Sequence, residues 1–228
     1  MIKIDKNAAP EYFLVAVQGL KTWNEYRAKD TLHADLLREQ HSLCAYCECS
    51  IEIEFDNMGR KLSHIEHIQP KSRYKELAFD YSNLVVSCEG IDQEAELTAN
   101  CDSGNKERRC GHYKEDQFDA QLFLNPTIIN DIEQYFEYDK DNGYIFPNHF
   151  LSEEKQMQAG YMIQLLNLNS NQSPGFSNAL PQARLKMWKN IVFYGNQNVL
   201  ELSKIKNIIQ KGHLPFISFL RYCLKEFS

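Results

Sequence analysis

Apolar positions recur at helical spacing from Pro10 to about His41, where Leu32, Leu36 and Leu37 follow Trp23 and Tyr26 with few breakers between them. That pattern predicts two amphipathic helices with Trp23 in the core. Beyond Cys44 the period changes. Ile51 to Phe55 is strand-like, Asp56-Asn57-Met58-Gly59 reads as a turn, and a second strand-like stretch runs into Glu66-His67, so a hairpin is expected there. Apolar Leu84-Val85-Val86 leads into Cys88, the polar, acidic segment from Glu89 to Asn105 has no period and reads as a loop, and a helix is expected from near Cys110. After Leu124-Asn125-Pro126, Tyr135 to Tyr138 and Tyr144 to Phe146 flank Asp139-Lys140-Asp141-Asn142-Gly143, which predicts a second hairpin. Gln156 to Leu166, Gln182 to Phe193 and Val199 to Ile209 read as helices, punctuated by Ser173-Pro174-Gly175 and Lys211-Gly212. The expected organisation is α+β: a helical segment over 1–43, a cysteine-bearing core over 44–119, and a hairpin with helices over 120–228.

Composition adjusts this picture. With 228 residues, 43% of them hydrophobic, the chain can bury one sizeable core. Met1-Ile2-Lys3-Ile4-Asp5-Lys6 lacks the apolar stretch of a signal peptide and no apolar run approaches bilayer length, so a cytoplasmic protein is expected. Seven cysteines, six of them between 44 and 110, favour metal ligation over disulfides in such a compartment, with Cys223 a small core residue. A net charge of -6 argues against a protein that coats nucleic acid non-specifically. Local charge differs: Arg60, Lys61, Lys71, Arg73 and Lys75 surround Glu66-His67, and Lys106, Arg108, Arg109 and Lys114 surround Cys110.

The chemistry gathers in the middle segment. Cys44-Ala45-Tyr46-Cys47 has the spacing of a zinc knuckle, and the other two ligands must come from Cys49, Cys88, Cys101 and Cys110. Cys88 and Cys110 are the choice, because Cys110-Gly111-His112-Tyr113-Lys114 reads as a knuckle running into a helix, with Cys101 a rival for the fourth place. A redox pair is disfavoured by the lack of a βαβ pattern after Cys47. In His64-Ile65-Glu66-His67-Ile68-Gln69-Pro70, a carboxylate beside a histidine can hold a divalent cation and offer a base to water, the chemistry of phosphodiester hydrolysis. His67 is read as the base, Glu66 as a ligand of Mg²⁺ or Mn²⁺, and His112 as the ligand from the following helix. Asn83, 16 residues past His67, is close enough along the chain to orient the imidazole. His64 reads more as a strand histidine than a site residue, and His33, His41, His149 and His213 carry no motif.

Together, the cysteine knuckle, the acidic-His pair followed by Ile68-Gln69-Pro70, the Asn83-Leu84 step and Cys110 at a helix resemble the HNH (ββα-metal) endonuclease superfamily. That resemblance implies a ββα-metal core with a four-cysteine zinc knuckle. It also implies metal-dependent cleavage of nucleic acid with His67 as base, Glu66 as metal ligand and Asn83 orienting the base. Departures are Glu66 where aspartate is commoner and the long segment from Glu89 to Arg109. Leu36-Leu37-Arg38-Glu39-Gln40, Phe123-Leu124-Asn125-Pro126 and Leu165-Leu166-Asn167-Leu168-Asn169 are similar to the PtuB-type nucleases of Septu and retron anti-phage systems. This implies an effector nuclease, with DNA favoured over RNA as substrate, an ABC-type ATPase partner (PtuA-like) and, in retrons, a reverse transcriptase with its msDNA. Alternatives are a zinc-stapled binding module without hydrolysis and a tRNA-directed nuclease. Trp188, Phe193, Tyr194, Phe216, Phe219 and Tyr222 are candidate docking anchors, although aromatics at helical spacing are more often core.

Overall fold

Strands β1 (Ser63–His67) and β2 (Leu84–Cys88) form the sheet that carries the site, pairing antiparallel from Ser63↔Cys88 to His67↔Leu84. The structure is a computed structural model that describes residues 1–51, 61–90, 108–170, 180–197 and 202–225. Among the described residues β1 pairs with β2, and the expected hairpin partner after Ile51 falls on residues outside those described. Residues 52–60, with the Asp56–Gly59 turn, lie outside the described residues, and Leu43 and Ser50 meet in an isolated bridge. Leu84, Val85, Val86, Ser87 and Cys88 are all buried, so β2 is covered on both faces and shows no polar alternation to mark it as a strand.

The two covers come from different parts of the chain. Helix α1 (Glu11–Ala16) precedes a 3₁₀ turn at Trp23–Glu25 and helix α2 (Lys29–Glu39), whose Leu32 and Leu36 lie one turn apart, fully buried, on the side that packs against the sheet. Gln40, just past α2, clamps the sheet edge. Its amide donates to the carbonyls of Leu43 and Val86, each at 2.9 Å, and accepts from the Val86 N–H at 2.6 Å. The opposite face receives the one-turn helix α3 (Gly111–Lys114). A Cβ at Gly111 would lie 2.9 Å from His64 Nε2 and 3.0 Å from the Glu66 carboxylate, so glycine lets the helix approach the strand this closely.

Strands β3 (Phe136–Tyr138) and β4 (Ile145–Pro147) form the second hairpin as expected. Gly143 turns it with φ +75°, and a Cβ there would meet the Pro181 carbonyl at 2.2 Å. Helices α4 (Glu153–Leu165), α5 (Leu180–Gln197), α6 (Leu202–Lys211) and α7 (Ile217–Leu224) follow. Periodicity offers no separate reading for α7, yet it docks on the cysteine segment. Glu48, buried with φ +61°, accepts from the Ser218 N–H and hydroxyl at 2.9 Å each and pairs with the Met1 amino group at 2.7 Å. Burial alone would raise its carboxyl pKa, but the ammonium and Ser218 hold it below the ordinary carboxylate value. Phe216 and Phe219 are core residues, Trp188 and Tyr222 are half-buried against that core, and the side chains of Phe193 and Tyr194 lie outside the described residues. No helix among the described residues is long and apolar enough to cross a membrane.

Replacing Gln40 by Leu removes three hydrogen bonds to buried backbone groups, of which the Val86 carbonyl keeps the Ala45 N–H. The expected result is a loss of about 2–4 kcal/mol of unfolding free energy in denaturant titration, at unchanged secondary structure by circular dichroism.

Candidate active site and metal centre

Four cysteines from three places in the chain converge: Cys44 and Cys47 after α2, Cys88 at the end of β2, and Cys110 at the start of α3. All are buried, and their sulfurs lie within 4.8 Å of one another. Cys47 and Cys88 sulfurs are 3.8 Å apart, matching the edge of about 3.8 Å for a tetrahedron with zinc–sulfur bonds of about 2.3 Å. The Cys88 N–H donates to Cys44 Sγ at 3.3 Å, and the Leu166 carbonyl at the end of α4 holds the Cys110 N–H at 2.9 Å. Burial raises all four thiols, while contacts among the sulfurs hold Cys44 and Cys47 below the ordinary thiol value and leave Cys88 and Cys110 above it. Ionising all four therefore needs a cation among them, which the donor set suits. Cys49 stands at the rim of this group, and Cys101 lies outside the described residues.

The knuckle positions a second cluster. Glu89 follows Cys88 and His112 lies two residues past Cys110, so the convergence of cysteines brings their side chains together beside β1. His64 Nδ1 is 3.0 Å from Glu89 Oε1, His112 Nε2 makes a short bond to the other Glu89 oxygen, and the two imidazoles are 4.3 Å apart. His64, Glu89 and His112 can thus offer three ligand atoms to one ion. Glu66 borders them, with Oε2 3.6 Å from His64 Nε2 and Oε1 accepting from Lys114 Nζ at 2.8 Å. Lys114 is fully buried and also donates to the His67 carbonyl at 3.2 Å. Burial disfavours a charged His64, but the Glu66 and Glu89 carboxylates outweigh it and raise its pKa to about 9. Glu89 is opposed by burial in the same way, yet His112 and His64 draw its pKa down to about 2.

His67 faces the other way, as alternation along β1 requires. Its ring is 4% exposed, meets Trp23 edge-on at 4.7 Å and bonds the Ala78 carbonyl through Nε2 at 3.0 Å. Burial, with Lys71 and Lys114, pulls its pKa down to about 4 against the hydrogen bond to Ala78. Asn83 bonds the connecting loop, accepting from the Gln69 N–H at 2.8 Å and donating to the carbonyls of Gln69 at 3.0 Å and Leu77 at 3.2 Å. It acts on His67 at one remove, by bracing the loop that presents the Ala78 carbonyl. The sequence pairs His112 with Glu66 around one ion, but the direct partner of His112 is Glu89. Sequence reasoning misses Glu89 and sets His64 aside; the available signal is their spacing, one residue after a knuckle cysteine and two before Glu66. Among the basic residues expected around the site, Arg109 and Lys114 are interior, whereas Lys61 pairs with Asp30 at 2.5 Å and Arg73 donates to the Phe118 carbonyl at 2.7 Å. Arg60 and Lys106 lie outside the described residues.

Residues 44–90 match the family model of HNH endonucleases. The chain carries an HNH endonuclease domain. Relatives agree with it: a protein of Vibrio cholerae serotype O1 biovar El Tor named as an HNH endonuclease of retron Vc95 is 31% identical over 144 residues, covering 62% of this chain and 57% of its own. An Escherichia coli protein named as an HNH endonuclease of retron Ec83 is 25% identical over 232 aligned positions, covering 86% and 88%. Septu protein PtuB of Bacillus thuringiensis is 32% identical over 69 residues, 30% of this chain and 25% of that protein. The chain therefore spans little more than half the length of the Vc95 relative. The HNH match stops at Gly90, and the fold brings Cys110 and His112 from beyond it to Cys44, Cys47, Cys88, His64 and Glu89.

Two outcomes check this site. Elemental analysis should find one tightly held zinc per chain, lost with several kcal/mol of stability in Cys88→Ser and Cys110→Ser but retained in Cys49→Ser and Cys101→Ser. For His67, the folded pKa of about 4 lies below the ordinary 6.5, so its contribution is present above pH 6.5 and lost as pH falls toward 4. The contribution is on the order of 3 kcal/mol. An NMR titration should show this imidazole neutral and unmoved from pH 8 to about 5.5.

Proposed function

We propose that this chain is a metal-dependent endonuclease that hydrolyses phosphodiester bonds, with DNA as the favoured substrate, in an anti-phage defence system. The observation that carries the reading is the meeting of His64, Glu89 and His112 beside Glu66 on an HNH domain. Two imidazoles with a carboxylate suit Mn²⁺ or a later divalent ion better than Mg²⁺, which prefers an all-oxygen shell. A divalent cation held there would polarise the scissile phosphate and stabilise the leaving oxygen. Glu66 is placed to join or brace that set, and Lys114 holds its other oxygen and balances its charge. In this reading His67 is the base: the Nε2–H bond to Ala78 assigns the lone pair to Nδ1, and the low proton affinity leaves that nitrogen unprotonated at neutral pH. A zinc knuckle of Cys44, Cys47, Cys88 and Cys110 holds the frame. The likenesses to retron and Septu proteins support a defence role in which an ABC-type ATPase, PtuA-like, or a retron reverse transcriptase with msDNA controls the nuclease.

Cleavage of supercoiled plasmid and of total tRNA, with Mn²⁺ or Mg²⁺ and with or without the ATPase, tests the proposal. The wild-type chain should cut plasmid faster with Mn²⁺, while His112→Ala and His67→Ala each lose about 10²–10⁴-fold in rate and keep their zinc. Preferential cutting of tRNA would reassign the substrate. Binding of either nucleic acid with no cutting under any of these conditions would replace the nuclease by a zinc-stapled binding module.

A further inference from the structure

Helices α3 and α4 line an open cleft of about 510 Å³ that includes His112 in its wall and so borders the His64–Glu89–His112 cluster. Its size falls within the range of ligand sites, roughly 300–1,000 Å³. From the α3 side come Arg108, Tyr113, Glu115 and Gln117, and from α4 come Tyr161 and Gln164. One cation and one anion cancel formally, so the described lining does not track a phosphate backbone, whose grip needs uncompensated lysine and arginine. What it offers is two aromatic rings and two primary amides. Tyr113 is 45% exposed, a large ring left open beside a reaction centre, and Tyr161 is fixed by packing against the core. Stacking on such rings with amides at the base edge is how unpaired nucleotides are held. The α4 wall lies beyond residues 44–90, so the cleft is added to the HNH domain by the C-terminal part of the chain.

We propose that this cleft is a nucleobase subsite: an unpaired base next to the scissile phosphate stacks on Tyr113 and Tyr161, with Gln117 and Gln164 at its edge. The proposal rests on the nuclease reading of the neighbouring cluster and adds a substrate class, a DNA or RNA strand that is single or locally opened at the cut. A paired base inside an intact duplex cannot present its face to the rings.

Single-stranded oligonucleotides carrying 2-aminopurine at successive positions, titrated with the zinc-loaded full chain without added Mg²⁺ or Mn²⁺, provide the test. Stacking should quench the fluorophore for wild type and for the Tyr113→Phe/Tyr161→Phe double variant, which keeps both rings. The Tyr113→Ala/Tyr161→Ala double variant should bind about 10- to 100-fold more weakly and lose the quenching. Gln164→Ala, an exposed substitution, should weaken binding in the same direction without touching a ring. In parallel, wild type with Mn²⁺ should cut the single strand faster than its duplex and slow at one abasic position beside the cut. Absence of oligonucleotide binding by wild type, unchanged quenching in a folded double-alanine variant, or equal cutting of single strand, duplex and abasic strands overturns the subsite. If quenching depends on the two rings in a chain that cuts nothing, the subsite stands and the nuclease reading falls. If cutting occurs but quenching ignores the rings, the reverse holds.

Discussion

The convergence of Cys44, Cys47, Cys88 and Cys110 is the constraint on which the rest of the site depends. Four soft donors brought within one tetrahedron tie the end of β2 to the loop after α2 and to the start of α3. Because Glu89 adjoins Cys88 and His112 lies two residues past Cys110, the same staple delivers both side chains to His64 on β1. Helix α3 has one turn and could not hold this position by its own propensity, since short helices are unstable alone. Its place is set by the knuckle at one end, by the Leu166 carbonyl on Cys110 and by Lys114 buried against Glu66.

The site has two faces that divide its work. On one face of β1 stand His64 and Glu66, charged and partly open; on the other His67 is enclosed by Trp23 and the loop braced by Asn83. Glu66 favours the protonated form of both rings, but His67 lacks the direct carboxylate bonds that His64 makes, and burial, with Lys71 and Lys114, lowers its proton affinity. Two imidazoles of one strand thus differ by about five pKa units, because alternation sets one against carboxylates and buries the other.

Much of this is legible in the sequence. The knuckle cysteines, the second hairpin, α2, α4 and the helix carrying His112 follow from spacing and period. What fails to show depends on contacts between distant segments. β2 is buried on both faces, so Leu84-Val85-Val86 is a hydrophobic run without alternation, and nothing in it marks the strand as a partner of β1. Glu89 looks like the first residue of an acidic loop, because its role exists only once Cys110 has folded back. Arg109 and Lys114 look like surface charge, since composition cannot reveal that buried thiols and Glu66 surround them.

The C-terminal part does more than enclose a core. Through Glu48 and Ser218 it ties α7 to the knuckle, and through α4 it supplies a wall beside His112. Gly111 sits where these influences meet, with room for no further atom between α3 and the two side chains on β1. A descendant of this domain therefore need not lose any of the clustered side chains to rearrange them: one methyl group at position 111 would push Glu66 and His64 aside, leaving the four cysteines in place. Disruption of the cluster and retention of the scaffold can be a single mutational step apart.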